Sequence, residues 1–185
     1  MNGPTFDYQP LSANSKEIRL ALIQPEIDSP DINCSLEHAF LGERPPYEAL
    51  SYNWGDPSDT VDIKLNGHPF PVTRNLATSL QYLRKDTAVT KLWIDAISIN
   101  QKDFQEKNSQ LLQMKEIYET ANKIVIWLGE ESDDSNLAMK AMPELAQMAM
   151  IPPGPWLEKI LRQPFDVKPL NALQSFLNRP WWTRA

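Results

Sequence analysis

Two carboxylates stand where their placement needs an explanation. Asp95 interrupts the apolar run Leu92-Trp93-Ile94-Asp95-Ala96-Ile97-Ser98-Ile99. A charge among apolar neighbours is expensive, so Asp95 is either a hydrogen-bonded structural residue or a working group, since perturbed carboxylates gather at functional sites. Glu106 follows the polar stretch Asn100-Gln101-Lys102-Asp103. Three apolar segments end in polar or aromatic residues: Ser51, Tyr52 and Trp54 after the first, Asn100 and Gln101 after the second, Trp127 at the third. A cleft joining two indole rings, amides and carboxylates would suit a nucleotide base and its ribose. Plainer readings stand beside this one: Glu106 as a helix cap, and both tryptophans as packing residues.

Other chemistries are excluded by counting. Cys34, His38 and His68 are the only Cys and His residues, too few for a four-ligand structural zinc site, so no metal is expected. Cys34 and His38 lack an orienting partner and an activated thiol, which argues against a nucleophile–base pair. The glycines at 3, 42, 55, 67, 129 and 154 are too far apart for either phosphate-cradling loop.

The candidate residues need elements to hold them. Ile18, Leu20 and Leu22 alternate with Arg19 and Ala21 as in a strand, and residues 33–41 read as another. Glu43-Arg44-Pro45-Pro46 is a break, and 47–52 is a short buried strand. Val61, Ile63 and Leu65 lead into Asn66-Gly67, the pair a tight hairpin turn demands, with Phe70 and Val72 on the return. Pro69 and Pro71 make that return an edge strand. Thr73 caps a helix with Leu76, Leu80 and Leu83 on one face. Residues 91–100 read as a core strand. A long helix follows over 104–121, with Leu111, Met114, Tyr118 and Ala121 as its apolar stripe and Asp103 with Glu106 at capping-box spacing. Residues 123–129 read as a buried strand, and a helix carrying Pro143 starts near 133. The Pro-rich stretch 152–169 is a connector, and 170–177 a last helix.

Strands alternating with helices indicate an α/β fold. We expect a mainly parallel central sheet flanked by helices, with antiparallel N-terminal strands and a hairpin at the edge. Leu50, Trp93, Ile94, Ile97, Ile124, Ile126, Leu111 and Met114 are the expected core. The chain has 185 residues, 42% of them hydrophobic and 23% charged, which is ordinary for one globular domain. Lys plus Arg is 18 and Asp plus Glu is 24, for a net charge of −6. Without a basic cluster, a nucleic-acid partner is not expected. No apolar run reaches membrane-spanning length, and residues 1–15 lack the apolar core of a signal peptide. One cysteine allows no internal disulfide and favours a reducing compartment.

Several motifs resemble a known family. Tyr47-Glu48-Ala49-Leu50-Ser51-Tyr52-Asn53-Trp54-Gly55 resembles the opening motif of the fungal heterokaryon-incompatibility (HET) domain. Leu92 to Gln101 resembles its central motif, with Ser98 where the family usually carries Cys. Gln110, Met114, Ile117, Tyr118 and Ala121 match the next helix, Val125 to Gly129 its Trp-Leu-Gly strand, and Arg179 to Arg184 the start of its last block. The resemblance covers nearly the whole chain, which reads as a single HET-like domain over 1–185 with core motifs at 47–129. The last block stops inside its motif at Ala185, so it is expected to be truncated there.

The resemblance implies a cytoplasmic fungal module of self/non-self recognition whose activation leads to cell death. The family is distantly similar to TIR domains, some of which cleave NAD using a Glu near a helix start. By that likeness Glu106 or Asp95 would be catalytic, stabilising oxocarbenium-like charge. Trp54 or Trp127 would stack on the base, Asn100 or Gln101 would hold ribose or phosphate, and Ser51 and Tyr52 would line the site. NAD enters as a substrate, and no cofactor is expected. Serine at 98 removes the thiol that a Cys-dependent mechanism would need. The alternative is a non-catalytic signalling module that acts by homo-oligomerisation or by capturing a protein partner.

Overall fold

A computed structural model describes residues 6–12, 15–132, 134–150 and 167–183. Most of the Pro-rich connector expected over 152–169 lies outside the described residues. The chain divides into two compact units, Met1–Trp127 and Leu128–Ala185.

The first unit is built on a seven-stranded sheet in the order β5-β4-β2-β1-β6-β3-β7. Its strands are β1 (Glu17–Ile23), β2 (Asn33–Phe40), β3 (Glu48–Tyr52), β4 (Thr60–Leu65), β5 (His68–Thr73), β6 (Thr90–Trp93) and β7 (Lys123–Trp127). β3 runs parallel to both β6 and β7, so Tyr52, Trp93 and Trp127 end on one edge. The α/β class is the one expected. Within it, β1 and β2 lie inside the sheet, and β1 is antiparallel to both its neighbours. The hairpin turn has Asn66 at φ 49° and Gly67 at φ 80°, the left-handed pair that matches strand twist. β5, with its two prolines, forms one border of the sheet.

Helices cover both faces. α1 (Arg74–Leu83) is capped by the Thr73 side chain, which accepts from the Leu76 N–H. It packs Leu76 and Leu80 against Leu50, Tyr52, Ile63, Leu65, Leu92 and Ile94. On the opposite face, α3 (Phe104–Thr120) packs Ile117 against Ile18, Leu20, Ala49 and Trp93. Between β6 and α3 lies α2, a single helical turn over Asp95–Ser98.

Three expectations need correcting. Residues 91–100 are not one strand: β6 stops at Trp93 and the chain turns into α2. The Ser98 hydroxyl accepts from the Ile94 N–H at 3.1 Å while the Ser98 N–H donates to the Ile94 carbonyl at 2.7 Å. That reciprocal pair closes a turn that an apolar composition conceals. The buried face of α3 is also rotated, with Gln110 and Ile117 inside and Leu111 47% exposed. Gln110 can be buried because its amide donates to the Glu17 carbonyl at 2.9 Å. Finally, Ile124 and Ile126 are 48% and 47% exposed rather than core, because β7 is the other border of the sheet. Leu50, Trp93, Ile94 and Ile97 are buried as expected.

The second unit contains α4 (Ser135–Met150), with Pro143 inside it, and α5 (Lys168–Leu177). Ala138, Ala172 and Phe176 form its core beside Leu128, Leu137 and Met142. Arg179 donates to the Leu128 carbonyl at 3.1 Å and to the Ser132 hydroxyl at 3.0 Å.

Burial therefore separates residues of like composition. Leu92→Ala removes a fully buried side chain from the first core and is expected to cost about 2–5 kcal/mol. Ile126→Ala on the border is expected to cost about 1 kcal/mol or less. Urea denaturation of the two variants checks this.

Candidate functional site

The parallel β3 and β6 bring their carboxyl ends together, and α2 then sets Asp95 beside the end of β3. The Trp54 indole N–H donates to Asp95 Oδ2 at 3.0 Å. The Tyr52 hydroxyl is hydrogen-bonded to the same carboxylate. Burial first, and then the Asp95 charge, push that hydroxyl well above the usual tyrosine range, so Tyr52 stays a donor at neutral pH. The Asp95 carbonyl in turn accepts from the Gln101 side-chain amide at 2.9 Å. Asp95 is half-buried, Trp54 is exposed and Ser51 is buried in β3.

Trp127 joins this edge through a residue that the sequence did not single out. Its indole N–H donates to Asn75 Oδ1 at 3.0 Å, and the Asn75 amide donates to the Asn53 carbonyl. Asn75 sits in the first turn of α1, and no spacing or composition signal marks it. The turn after β3 needs Gly55 at φ 78°, with Asn53 Oδ1 accepting from the Gly55 N–H at 2.8 Å. Tyr82 lies against the Trp127 ring at 5.1 Å between centroids. Asp95, Tyr52, Trp54, Gln101 and Trp127 are thus linked along one edge through short hydrogen-bonded steps.

Glu106 is engaged differently. Its two carboxylate oxygens accept from the Arg19 guanidinium at 2.6 and 2.9 Å, and Oε1 also accepts from the Asn100 N–H at 2.7 Å. Arg19 is 1% and Glu106 10% exposed. Arg19 further donates to the Ser98 carbonyl at 3.1 Å and to the Gln9 carbonyl, and it stacks over the Tyr8 ring at 4.9 Å. Tyr8 donates its hydroxyl to the Ile97 carbonyl at 2.9 Å. Only half of the expected capping box forms. Asp103 accepts from the N–H groups of Gln105 and Glu106, whereas the Asp103 N–H donates to the Asn100 carbonyl at 3.1 Å instead of to Glu106. Asn100 Oδ1 accepts from the Lys102 N–H at 3.2 Å. Arg19 and Tyr8 were missed because a lone arginine in an apolar strand reads as its solvent face.

A separate cavity of about 500 Å³ opens between β4 and α1. Its two cations are already paired, Lys64 with Asp31 and Arg74 with Asp59, and we assign it no chemistry. Among the described residues, no group of three or more His, Cys, Asp or Glu side chains could hold a metal ion, and no helix is long and apolar enough to cross a membrane.

The profile of the heterokaryon incompatibility protein (HET) family matches residues 47–185. The chain belongs to the HET family. It is 36% identical over 157 residues to heterokaryon incompatibility protein 6, OR allele, of Neurospora crassa, covering 77% of this chain and 23% of that protein. No solved structure matches it. The family match begins at Tyr47, just before β3, so it takes in Asp95, Glu106 and every residue of the linked edge. Arg19 and Tyr8 precede it. The HET segment of this chain therefore carries a buried carboxylate whose counter-charge comes from outside the matched region.

Losing one member of such a pair leaves the other charged and buried, at a cost of several kcal/mol. Glu106→Gln is expected to lower unfolding stability by about 3 kcal/mol. Asp103→Ala, which removes only the cap, should lower it by about 1 kcal/mol. Chemical denaturation of the two single variants measures the difference.

Proposed function

We propose that this HET domain acts in fungal self/non-self recognition, in signalling that leads to cell death, and that it does so by cleaving the nicotinamide–ribose bond of NAD. The incompatibility role is supported by family membership and by the name of the Neurospora relative. The chemistry rests on one observation. Asp95, at the shared carboxyl edge of β3 and β6, is a half-buried carboxylate oriented by the Trp54 indole and the Tyr52 hydroxyl.

In this reading the bond from ribose C1′ to the nicotinamide nitrogen breaks, and nicotinamide leaves with the bonding electron pair. It leaves as a neutral molecule, so no general acid is required and one carboxylate suffices. Asp95 stabilises the cationic charge that develops at C1′. Water then adds to C1′, giving ADP-ribose and releasing a proton. Trp54, exposed beside Asp95, offers a ring face to the base, with Trp127 further along the edge. Gln101 and Asn100 supply amides for ribose or phosphate, and Ser51 and Tyr52 form the floor. Glu106, neutralised by Arg19, is a positioning residue: it holds the Asn100 backbone and hence the turn that carries Asp95.

The test is incubation of the purified chain with NAD and measurement of free nicotinamide, beside a fungal cell-death assay. Asp95→Asn keeps the shape of the side chain. It is expected to reduce nicotinamide release by about 100-fold or more and to abolish killing, with the melting midpoint nearly unchanged. Killing that persists without nicotinamide release would replace this reading with non-catalytic signalling.

A further inference from the structure

The two borders of the sheet are built oppositely. β5 reads His68-Pro69-Phe70-Pro71-Val72-Thr73, and its two prolines remove amide donors from the border. β7 reads Lys123-Ile124-Val125-Ile126-Trp127, without proline, glycine or acidic residue. It is β-branched at its three central positions, and among the described residues it pairs with β3 alone. A largely apolar border strand whose outer edge pairs with no other strand among the described residues is a template for another strand.

The side chains along β7 define what that strand would be. Ile124 pairs with Ala49, and Ala49 belongs to the cluster under α3. Ile124 and Ile126 therefore lie on the α3 face, where nearly half of each is exposed. The Tyr118 hydroxyl donates to the Leu50 carbonyl at 3.1 Å, which turns the Leu111–Tyr118 side of α3 toward β3 and β7. Half-exposed Leu111 thus extends the same apolar surface. Lys123, Val125 and Trp127 lie on the other face.

This pattern is complementary to itself in one register. Placed antiparallel about Val125, two copies set Ile124 against Ile126 twice on one face. On the other face they set the Lys123 ammonium of each copy against the Trp127 ring of the other, an attractive pairing of cation and π-face. Two-fold symmetry makes each contact occur twice and keeps the α3 faces on the same side. Along the five paired positions no like charges meet, although the chain carries a net charge of −6.

We propose that β7 is a homotypic interaction surface, through which two copies of this chain join edge to edge in an antiparallel register centred on Val125. The inference does not depend on NAD chemistry. A five-residue strand supplies far fewer than the roughly 20–30 residues a side of a standard interface, so the dimer is weak and concentration-dependent.

The test uses the full 185-residue chain in sedimentation equilibrium across a concentration series. A monomer–dimer equilibrium is expected. Ile124→Lys and Ile126→Glu each place a charge on an exposed side chain, and each alone should weaken association by at least about tenfold. Mixing the two variants should restore a heterodimer, because the register sets position 124 of one copy against 126 of the other. Val125→Cys should cross-link to itself on oxidation, since the native Cys34 is buried. Circular dichroism verifies that the variants are folded. A chain that stays monomeric at ~0.5 mM, fibres in place of a closed dimer, or a dimer that both charged variants leave intact would each overturn the proposal. Should Val125→Cys fail to fold, the charge-swap pair decides alone.

Discussion

The Arg19–Glu106 pair constrains the rest of the first unit. Burying a guanidinium and a carboxylate is costly, and the attraction between them repays it only with good geometry and with every remaining donor occupied. Both conditions hold. The pair is bidentate, and the other guanidinium hydrogens are taken by the Ser98 and Gln9 carbonyls. The arrangement fixes four stretches of chain at once: the N-terminal segment around Tyr8, the amino end of β1, the turn through Ser98 and Asn100, and the first turn of α3. None of them can shift without leaving a buried charge or carbonyl unsatisfied.

That constraint reaches Asp95 through the backbone. Ser98 closes α2 against Ile94, and Arg19 holds the Ser98 carbonyl from beneath. Glu106 holds the next backbone donor, at Asn100. The turn carrying Asp95 is thereby clamped at its carboxyl end, while Trp54 and Tyr52 fix its side chain at the other. A charge kept half-buried at a strand edge by residues from separate elements is held in one geometry, the preorganisation that the proposed stabilisation of a developing cation would require. The two carboxylates singled out by type and spacing thus occupy opposite ends of one turn and differ in what they face.

Much of this was legible in the sequence because it is local. The Asn66-Gly67 turn and the Thr73 cap follow from backbone geometry and local side-chain chemistry alone, and each is found as read; β1 is the strand its alternation indicates, but both of its faces are buried. The shared edge of β3, β6 and β7 followed from strand–helix alternation. What was not legible depends on tertiary partners. The α2 turn hides in an apolar run because its decisive bond is a serine hydroxyl closing on a backbone amide. The face of α3 was misjudged because its centre is Gln110, a polar residue made tolerable by a carbonyl in β1. Ile124 and Ile126 have core composition and border positions, and composition carries no information about which strand comes last in a sheet. Asn75 joins the site through two hydrogen bonds that no pattern announces.

The position of β1 bears on how the chain acquires its structure. It precedes the other six strands of this sheet in the chain, yet it lies in the middle of the sheet, and its arginine pairs with a carboxylate 87 residues further along. Until β6 and the start of α3 have emerged, the N-terminal hairpin of β1 and β2 holds an unmatched cation and an open inner edge. Loop closure of that span must be accomplished before the contacts that reward it exist. During synthesis, then, the centre of the sheet around β1 can close only once β6 and the start of α3 are present, and β7 is added to its border afterwards.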